Sequence, residues 1–396
     1  MVAELKFTPN GYKLVKHEIM RSLNSKENPE ILFQKICGSS TPQKIIAATI
    51  NCKAAFKKIF KSKNVTFLNV GAHIYYERFI VETVKWFFDK SFIKYYILPI
   101  SSRNIRIYGY YGTAKNILDI IYIQLNDPLP VKKAVYYSKS IPQLHVMFNE
   151  STHTYGYQHE LSKNCHGYQT TVTIDEENFE IIETKSYCFN AFKKVLSQMN
   201  TLLNPKIPFI GFYDNSSVIG ICKNSEEGYQ FLEEWNDMFG NECFISFDQK
   251  RPKFGQSASN SLKTKNTFVV FDLLNIMSMA PEKIKIDKTW GFTFTKNEDN
   301  PVLLKFDYFD GTKKCSSPSF LMAIFLRQHL KAIESKIGQK PEKVAFWIID
   351  RKFNESERKR IENGLKKSCK LLKINCIFVN LESISIDSRK FNNIGV

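Results

Sequence analysis

Residues 344–350, VAFWIID, form an apolar run closed by a single aspartate, and two helix-forming stretches bracket it; this succession limits the possible folds more than any other feature. A strand with one wet face alternates apolar and polar residues, whereas a continuous apolar run is buried on both faces. Ahead of it, Ser319 to Ile337 (SFLMAIFLRQHLKAIESKI) repeats apolar residues at three- and four-residue spacing, with Gly338 as a C-terminal cap and Pro341 beyond. Behind it, Asn354-Glu355-Ser356-Glu357 opens a helix running through Lys373, and Ile374 to Asn380 reads as a further strand. Strand, helix, strand predicts a crossover in a largely parallel sheet, so the C-terminal half is α/β.

The remaining segments differ in character. Phe209 to Asp214 and Val218 to Cys222 predict a hairpin turned at Asn215-Ser216-Ser217, and Cys243 to Phe247 and Thr267 to Leu273 add strands. Near the N-terminus, Lys44 to Lys61 predicts an amphipathic helix, Val65 to Val70 a strand, Gly71 a turn and Phe79 to Phe88 another helix. From Ile117 to Ile182, short β-rich runs alternate with turn signals at Asn126-Asp127-Pro128 and Asn164 to Gly167, which predicts an all-β module. Tyr187 to Leu203 reads as a helix broken at Asn204-Pro205 and Pro208. The expected organisation is therefore 1–115, 116–186, a helix and linker at 187–206, and 207–396, in keeping with two or three domains for 396 residues.

Hydrophobic residues at 43% and charged residues at 24% exclude wholesale disorder and collagen-like repeats. The first residues, with Glu4, Lys6 and Lys13, lack a signal peptide's apolar core, so secretion is not expected. Lys94 and Asp119 interrupt the most apolar stretches, and no membrane span is expected. Nine cysteines without a CxxC pair fit a reduced cytoplasmic or nuclear setting. A net charge of +17, spread along the chain, predicts only non-specific attraction to nucleic acid. His153, His159, Cys165 and His166 match no zinc-ligand spacing and read as a polar loop. Lys57-Lys58 with Phe56 and Phe60 reads as a helix with its lysines outward.

Residues 340–378 (KPEKVAFWIIDRKFNESERKRIENGLKKSCKLLKINCIF) and 244–274 (FISFDQKRPKFGQSASNSLKTKNTFVVFDLL) resemble the first ATPase lobe of the seventy-kilodalton heat-shock chaperones, the DnaK type. The likeness extends collinearly over 207 to about 385 and implies an actin-like ATPase lobe of ribonuclease-H-like fold, truncated, in the C-terminal half. FLNVGAHIYYERFIVETVKWFF at 67–88 is similar to a piece of that family's second lobe. IIYIQLNDPLPVKKAVYYS and the run to Ile182, with the Asn126 to Pro130 step, are similar to its peptide-binding β-sandwich in abridged form.

The resemblance implies ATP with magnesium, held at the first phosphate turn by Asp214, Asn215, Ser216 and Ser217, the metal reached from Asp214 through the nucleotide, and at Gly71 in the second-lobe piece. Several positions depart from the family. The turn after Asp214 is short and has no glycine to let phosphate approach the backbone. The family's catalytic lysine falls two residues after Asp272, where this chain has Leu274. Val70-Gly71-Ala72-His73 keeps one glycine, the second phosphate hairpin does not follow before Val396, and Glu382 stands in an altered Asn-Glu-Pro turn. No residue is assigned a catalytic role: the resemblance implies ATP hydrolysis while its catalytic positions look lost. The leading expectation is a degenerate chaperone-like protein that binds unfolded or extended peptides or co-chaperone-like partners with little or no ATP turnover. An active ATP-dependent folding chaperone and a basic nucleic-acid-binding protein are the alternatives.

Overall fold

In the computed structural model, the apolar run becomes the strand Lys343–Ile348, buried along nearly its whole length inside the largest sheet, next to its last strand. The structure describes residues 2–18, 20, 27–48, 53–61, 64–68, 75–112, 116–141, 143–149, 153–224, 226–349 and 353–381. Lys343–Ile348 lies between Phe209–Tyr213 and Asn375–Phe378, parallel to both, with Phe209 opposite Ala345 and Lys343 opposite Asn375. Ser216–Cys222 and Tyr229–Phe231 continue the sheet antiparallel beyond Phe209–Tyr213, and Asn241–Glu242 pairs with the start of Ser216–Cys222.

Two layers of helix cover this sheet. Phe209, Tyr213, Val218 and Trp347 pack against Ala191, Phe192, Val195 and Met199 of the helix Asn190–Leu202. The segment expected as helix and linker thus supplies one cover of the sheet. The alternate residue Phe212 faces the other side, where its ring meets His329 of the helix Pro318–Ile337 at 6.1 Å. Local chemistry bounds these helices. The Ser317 side chain accepts from the Phe320 N–H at 3.3 Å, and Gly338 ends the helix with φ 78°. Asn354 and Glu357 form a reciprocal capping box for Glu355–Leu372.

The β-rich middle consists of two antiparallel sheets. One has the order Ile117–Ile123, Asn104–Tyr110, Gln143–Asn149, Thr154–Glu160, and the other the order Glu180–Tyr187, Gly167–Ile174, Val131–Ser138. Alternation along Gly167–Ile174 buries Tyr168, Thr170, Val172 and Ile174 on one face. The expected boundary at 115/116 lies inside the hairpin of Asn104–Tyr110 and Ile117–Ile123.

The chain divides into two compact units, 1–102 with 125–130 and 175–178, and 103–124 with 131–174 and 179–396. The first holds a hairpin, Val2–Thr8 with Gly11–Glu18, the parallel strands Ile45–Ala48 and Val65–Leu68, and the helices Pro29–Cys37, Lys53–Ile59 and Tyr76–Phe88. The single helix predicted over 44–61 is corrected: Ile45 and Ile46 are β-branched and pair with Val65 and Thr66, so the start of that stretch is strand, and the described helix is Lys53–Ile59. The strand predicted over Thr267 to Leu273 shrinks to Val269–Val270, because Asp272 adopts φ 61° and starts the helix Leu273–Ser278. Gly71, Ala72, His73 and Glu382 lie outside the described residues.

Candidate functional site

Asp214 sits at the hairpin linking Phe209–Tyr213 to Ser216–Cys222, and the turn is tighter than predicted. Tyr213 pairs directly with Ser216, which leaves only Asp214 and Asn215 as turn residues. Asp214 takes φ 47°, a left-handed conformation that an aspartate tolerates better than most side chains. Ser216 and Ser217 are strand residues, paired with Glu242 and Asn241 and almost fully buried. The expected Asn215-Ser216-Ser217 turn is corrected accordingly.

Asp214, Asn215 and Ser217 direct their side chains at the chain itself, while the buried Ser216 Oγ has no hydrogen-bond partner among the described residues. Asn215 donates from Nδ2 to the Tyr111 hydroxyl at 3.0 Å and accepts the Asp272 N–H on Oδ1 at 3.0 Å, while its carbonyl accepts from Cys243 at 2.7 Å. Ser217 Oγ lies 2.9 Å from His329 Nε2 and accepts from the Trp235 indole at 3.2 Å. The Asp214 carboxylate accepts from the Ser138 hydroxyl, contributed by the β-rich middle. Burial raises the Tyr111 phenol far above its ordinary range, and the Asp214 and Asp272 carboxylates add to that shift, so Tyr111 remains neutral.

Asp214 and Asp272 line one small cavity with Leu274, Asn275 and Phe353, at the carboxyl ends of Phe209–Tyr213 and Lys343–Ile348. Its volume is about 10 Å³, room for about one water molecule. Asp272 accepts from the Asn275 amide at 3.0 Å, and Leu274 is buried, so that part of the cavity wall is hydrocarbon. Lys139 is buried with its Nζ on the Phe239 and Gly240 carbonyls, and desolvation lowers its pKa. Glu242, also desolvated, has its pKa raised, and its Oε2 has no hydrogen-bond partner among the described residues. Among the described residues, no three His, Cys, Asp or Glu side chains gather to hold a metal. The residues at this hairpin therefore do not fit a nucleotide with its magnesium: the side chains of Asp214, Asn215 and Ser217 are bonded within the chain, Ser216 is buried, and the space takes a single water.

Sequence patterns gave no sign of Tyr111, Ser138, Lys139 or Glu242, which converge on the hairpin from distant segments. His166, grouped by sequence with His153, His159 and Cys165 in a polar loop, is instead buried. Its Nε2 lies 2.8 Å from the Met238 carbonyl, and its Nδ1 accepts from the Phe189 N–H at 2.9 Å. Burial lowers its pKa to about 4. The first unit holds a cavity of about 470 Å³ lined by Phe79, Trp86, Phe92, Tyr95 and Tyr96.

A stretch of 124 residues is 29% identical to a ribosome-associated molecular chaperone of Zygosaccharomyces rouxii, covering 31% of this chain and 20% of that protein. The matched region thus spans about one fifth of that relative's length. No protein-family model matches the chain. The identity supports a distant relationship to the seventy-kilodalton heat-shock chaperones. The fold is mixed α/β, and no described helix is long and apolar enough to cross a membrane.

Proposed function

We propose that this chain is a chaperone-like protein that binds extended peptides or partner proteins without ATP turnover, and that residues 207–381 derive from an actin-like ATPase lobe. The sheet supports the lobe assignment: three antiparallel strands, Phe209–Tyr213, Ser216–Cys222 and Tyr229–Phe231, followed by two parallel additions on the far side. The first-lobe and β-sandwich resemblances and the distant relationship to chaperones support the functional class.

One observation carries the loss of turnover: the hairpin at Asp214 to Ser217 spends its polar groups on Ser138, Tyr111, Trp235 and His329, with Leu274 beside it. Phosphoryl transfer in such folds depends on positioned donors, a metal and a cation acting together. Removing one preorganised donor typically lowers the rate by about 10²- to 10³-fold. Peptide capture has no such requirement, because an extended segment can add to a strand edge through main-chain hydrogen bonds. Thr154–Glu160, exposed throughout and at the end of its sheet's strand order, offers such an edge with Tyr155 and Tyr157.

Calorimetric titration of the full chain with ATP and magnesium, paired with fluorescence anisotropy of an extended apolar peptide, tests this. The expected result is no saturable nucleotide heat and a peptide affinity that nucleotide does not change. Saturable binding or phosphate release abolished by Asp214→Asn would overturn the proposal. Sequence-selective oligonucleotide binding in place of peptide binding would favour the nucleic-acid alternative.

A further inference from the structure

The helix Glu355–Leu372 ends one residue short of a corner. Lys373 takes φ 55°, its N–H bonds back to Cys369 and Lys370, and Ile374 donates to the Cys369 carbonyl at 3.1 Å. This corner sends the chain directly into Asn375–Phe378, the last strand of the sheet order. On that strand Ile377 and Val379 pack towards the core formed with Asn190–Leu202, so by alternation Cys376 and Phe378 face the helix Glu355–Leu372, and Cys376 stands on the side of Cys369. Cys369 is buried, while Cys376 is only partly covered. Lys366 projects from the preceding turn of the same helix, with its ammonium 5.3 Å from the Phe378 ring.

We propose that Cys369 and Cys376 are a peroxide-sensitive dithiol, Cys376 the attacking sulfur and Cys369 the resolving one. The roles follow from exposure and charge. Cys376 is the sulfur an oxidant can reach, and a hydrogen bond from Cys369, aided by the Lys366 charge, lowers its pKa towards the thiolate form. Cys369, the donor of that bond and desolvated, is held in the thiol form. The Cys376 thiolate attacks one peroxide oxygen: the S–O bond forms, the O–O bond breaks, and the departing hydroxide leaves as water after protonation. Cys369 sulfur then attacks the sulfenic sulfur: the S–S bond forms, the S–O bond breaks, and the Cys369 proton goes out with the second water. The two thiols supply two electrons and reduce one peroxide to two waters. In a reducing compartment such a bond is transient, which suits a sensor better than a structural staple. Closure ties the last turn of the helix to the edge strand beside Lys343–Ile348.

The test is peroxide treatment of the full chain, alkylation of remaining thiols and tryptic digestion without reductant. Cleavage after Lys367, Lys370 and Lys373 separates the two cysteines, so the bond appears as a linked pair of peptides, 368–370 with 374–389. The expected outcome is that linked pair, lost on adding a thiol reductant and absent in Cys376→Ser. In Cys369→Ser, a dimedone adduct on Cys376 is expected. The proposal is overturned if excess peroxide oxidises the exposed Cys188 or Cys315 while both proposed partners remain alkylatable. It is equally overturned if Cys376 in the unmutated chain accumulates as sulfenic acid without the link; both readouts use the unmutated chain, so a variant that fails to fold does not decide the matter.

Discussion

The helices Tyr76–Phe88 and Pro318–Ile337 are both rich in apolar residues at helical spacing, yet they end in opposite environments. Pro318–Ile337 buries Leu321, Met322, Phe325, Leu326, His329, Leu330 and Ile333 beside the central sheet and the helix Glu355–Leu372. Tyr76–Phe88 buries none of its residues: Phe79, Phe87 and Phe88 are 67%, 67% and 83% exposed. Periodicity states that a helix has an apolar stripe; a partner surface decides whether that stripe stabilises the fold at about 1.5 to 3 kcal/mol per large side chain or remains open to ligands. An exposed apolar surface of this kind marks an interaction site more often than an accident of composition.

The contrast breaks most readily at Phe325, whose ring lies 4.8 Å from His329 and within 6.4 Å of Trp235. Phe325→Ala is expected to lower stability by about 3 to 5 kcal/mol, read as a shift in the urea midpoint. A loss under about 1 kcal/mol would show that this helix is no better packed than Tyr76–Phe88.

Acid sharpens the same comparison, because the buried helix carries a histidine that cannot charge in place. Burial lowers His329 to about 3 and His166 to about 4, from an ordinary value near 6.5. The unfolded chain therefore binds protons below pH 6.5 that the native fold refuses. The contribution of this pair is complete above about pH 6.5 and is lost as the pH falls towards 4. At pH 5 the loss is about 2 kcal/mol per histidine, measurable as a lower urea midpoint than at pH 7. A flat stability profile between pH 7 and 5 would mean that these imidazoles are not buried as described.

Smaller effects follow at the surface. Asn354→Ala removes one half of the capping box of Glu355–Leu372 and is expected to cost about 1 kcal/mol. Phe88→Ser on the exposed helix should change stability by no more than about 0.5 kcal/mol, while reducing the fluorescence of a bound apolar dye. If that substitution instead destabilises the first unit strongly, the apolar stripe of Tyr76–Phe88 is covered.

Helix ends were the most legible part of this chain. Gly338, Pro341 and the Asn354 to Glu357 sequence each report a local backbone requirement, and each marks the end it announced. The run at 344–350 was legible because only a strand covered on both sides tolerates unbroken hydrocarbon. Ile45 to Ala48 was misread because a few apolar residues fit either period, and the pairing with Val65–Leu68 decided between them. At the candidate site, the family resemblance singled out Asp214 and Leu274 separately, and the structure sets both on one cavity. The two-residue turn, the buried serines and the plug by Ser138 and Tyr111 were not.

What the sequence determined by itself was therefore local: where backbone donors need caps, where a chain must turn, and which stretches cannot remain in water. Tertiary structure alone decided which polar groups at Asp214 to Ser217 would find partners. Those partners, Tyr111, Ser138, Trp235 and His329, stand between 18 and 112 residues away along the chain. A hydrogen bond depends on separation in space and on alignment within a few tenths of an ångström. Sequence distance carries neither quantity, so the polar groups of this hairpin could be turned inward without any change in the pattern that announces its strands.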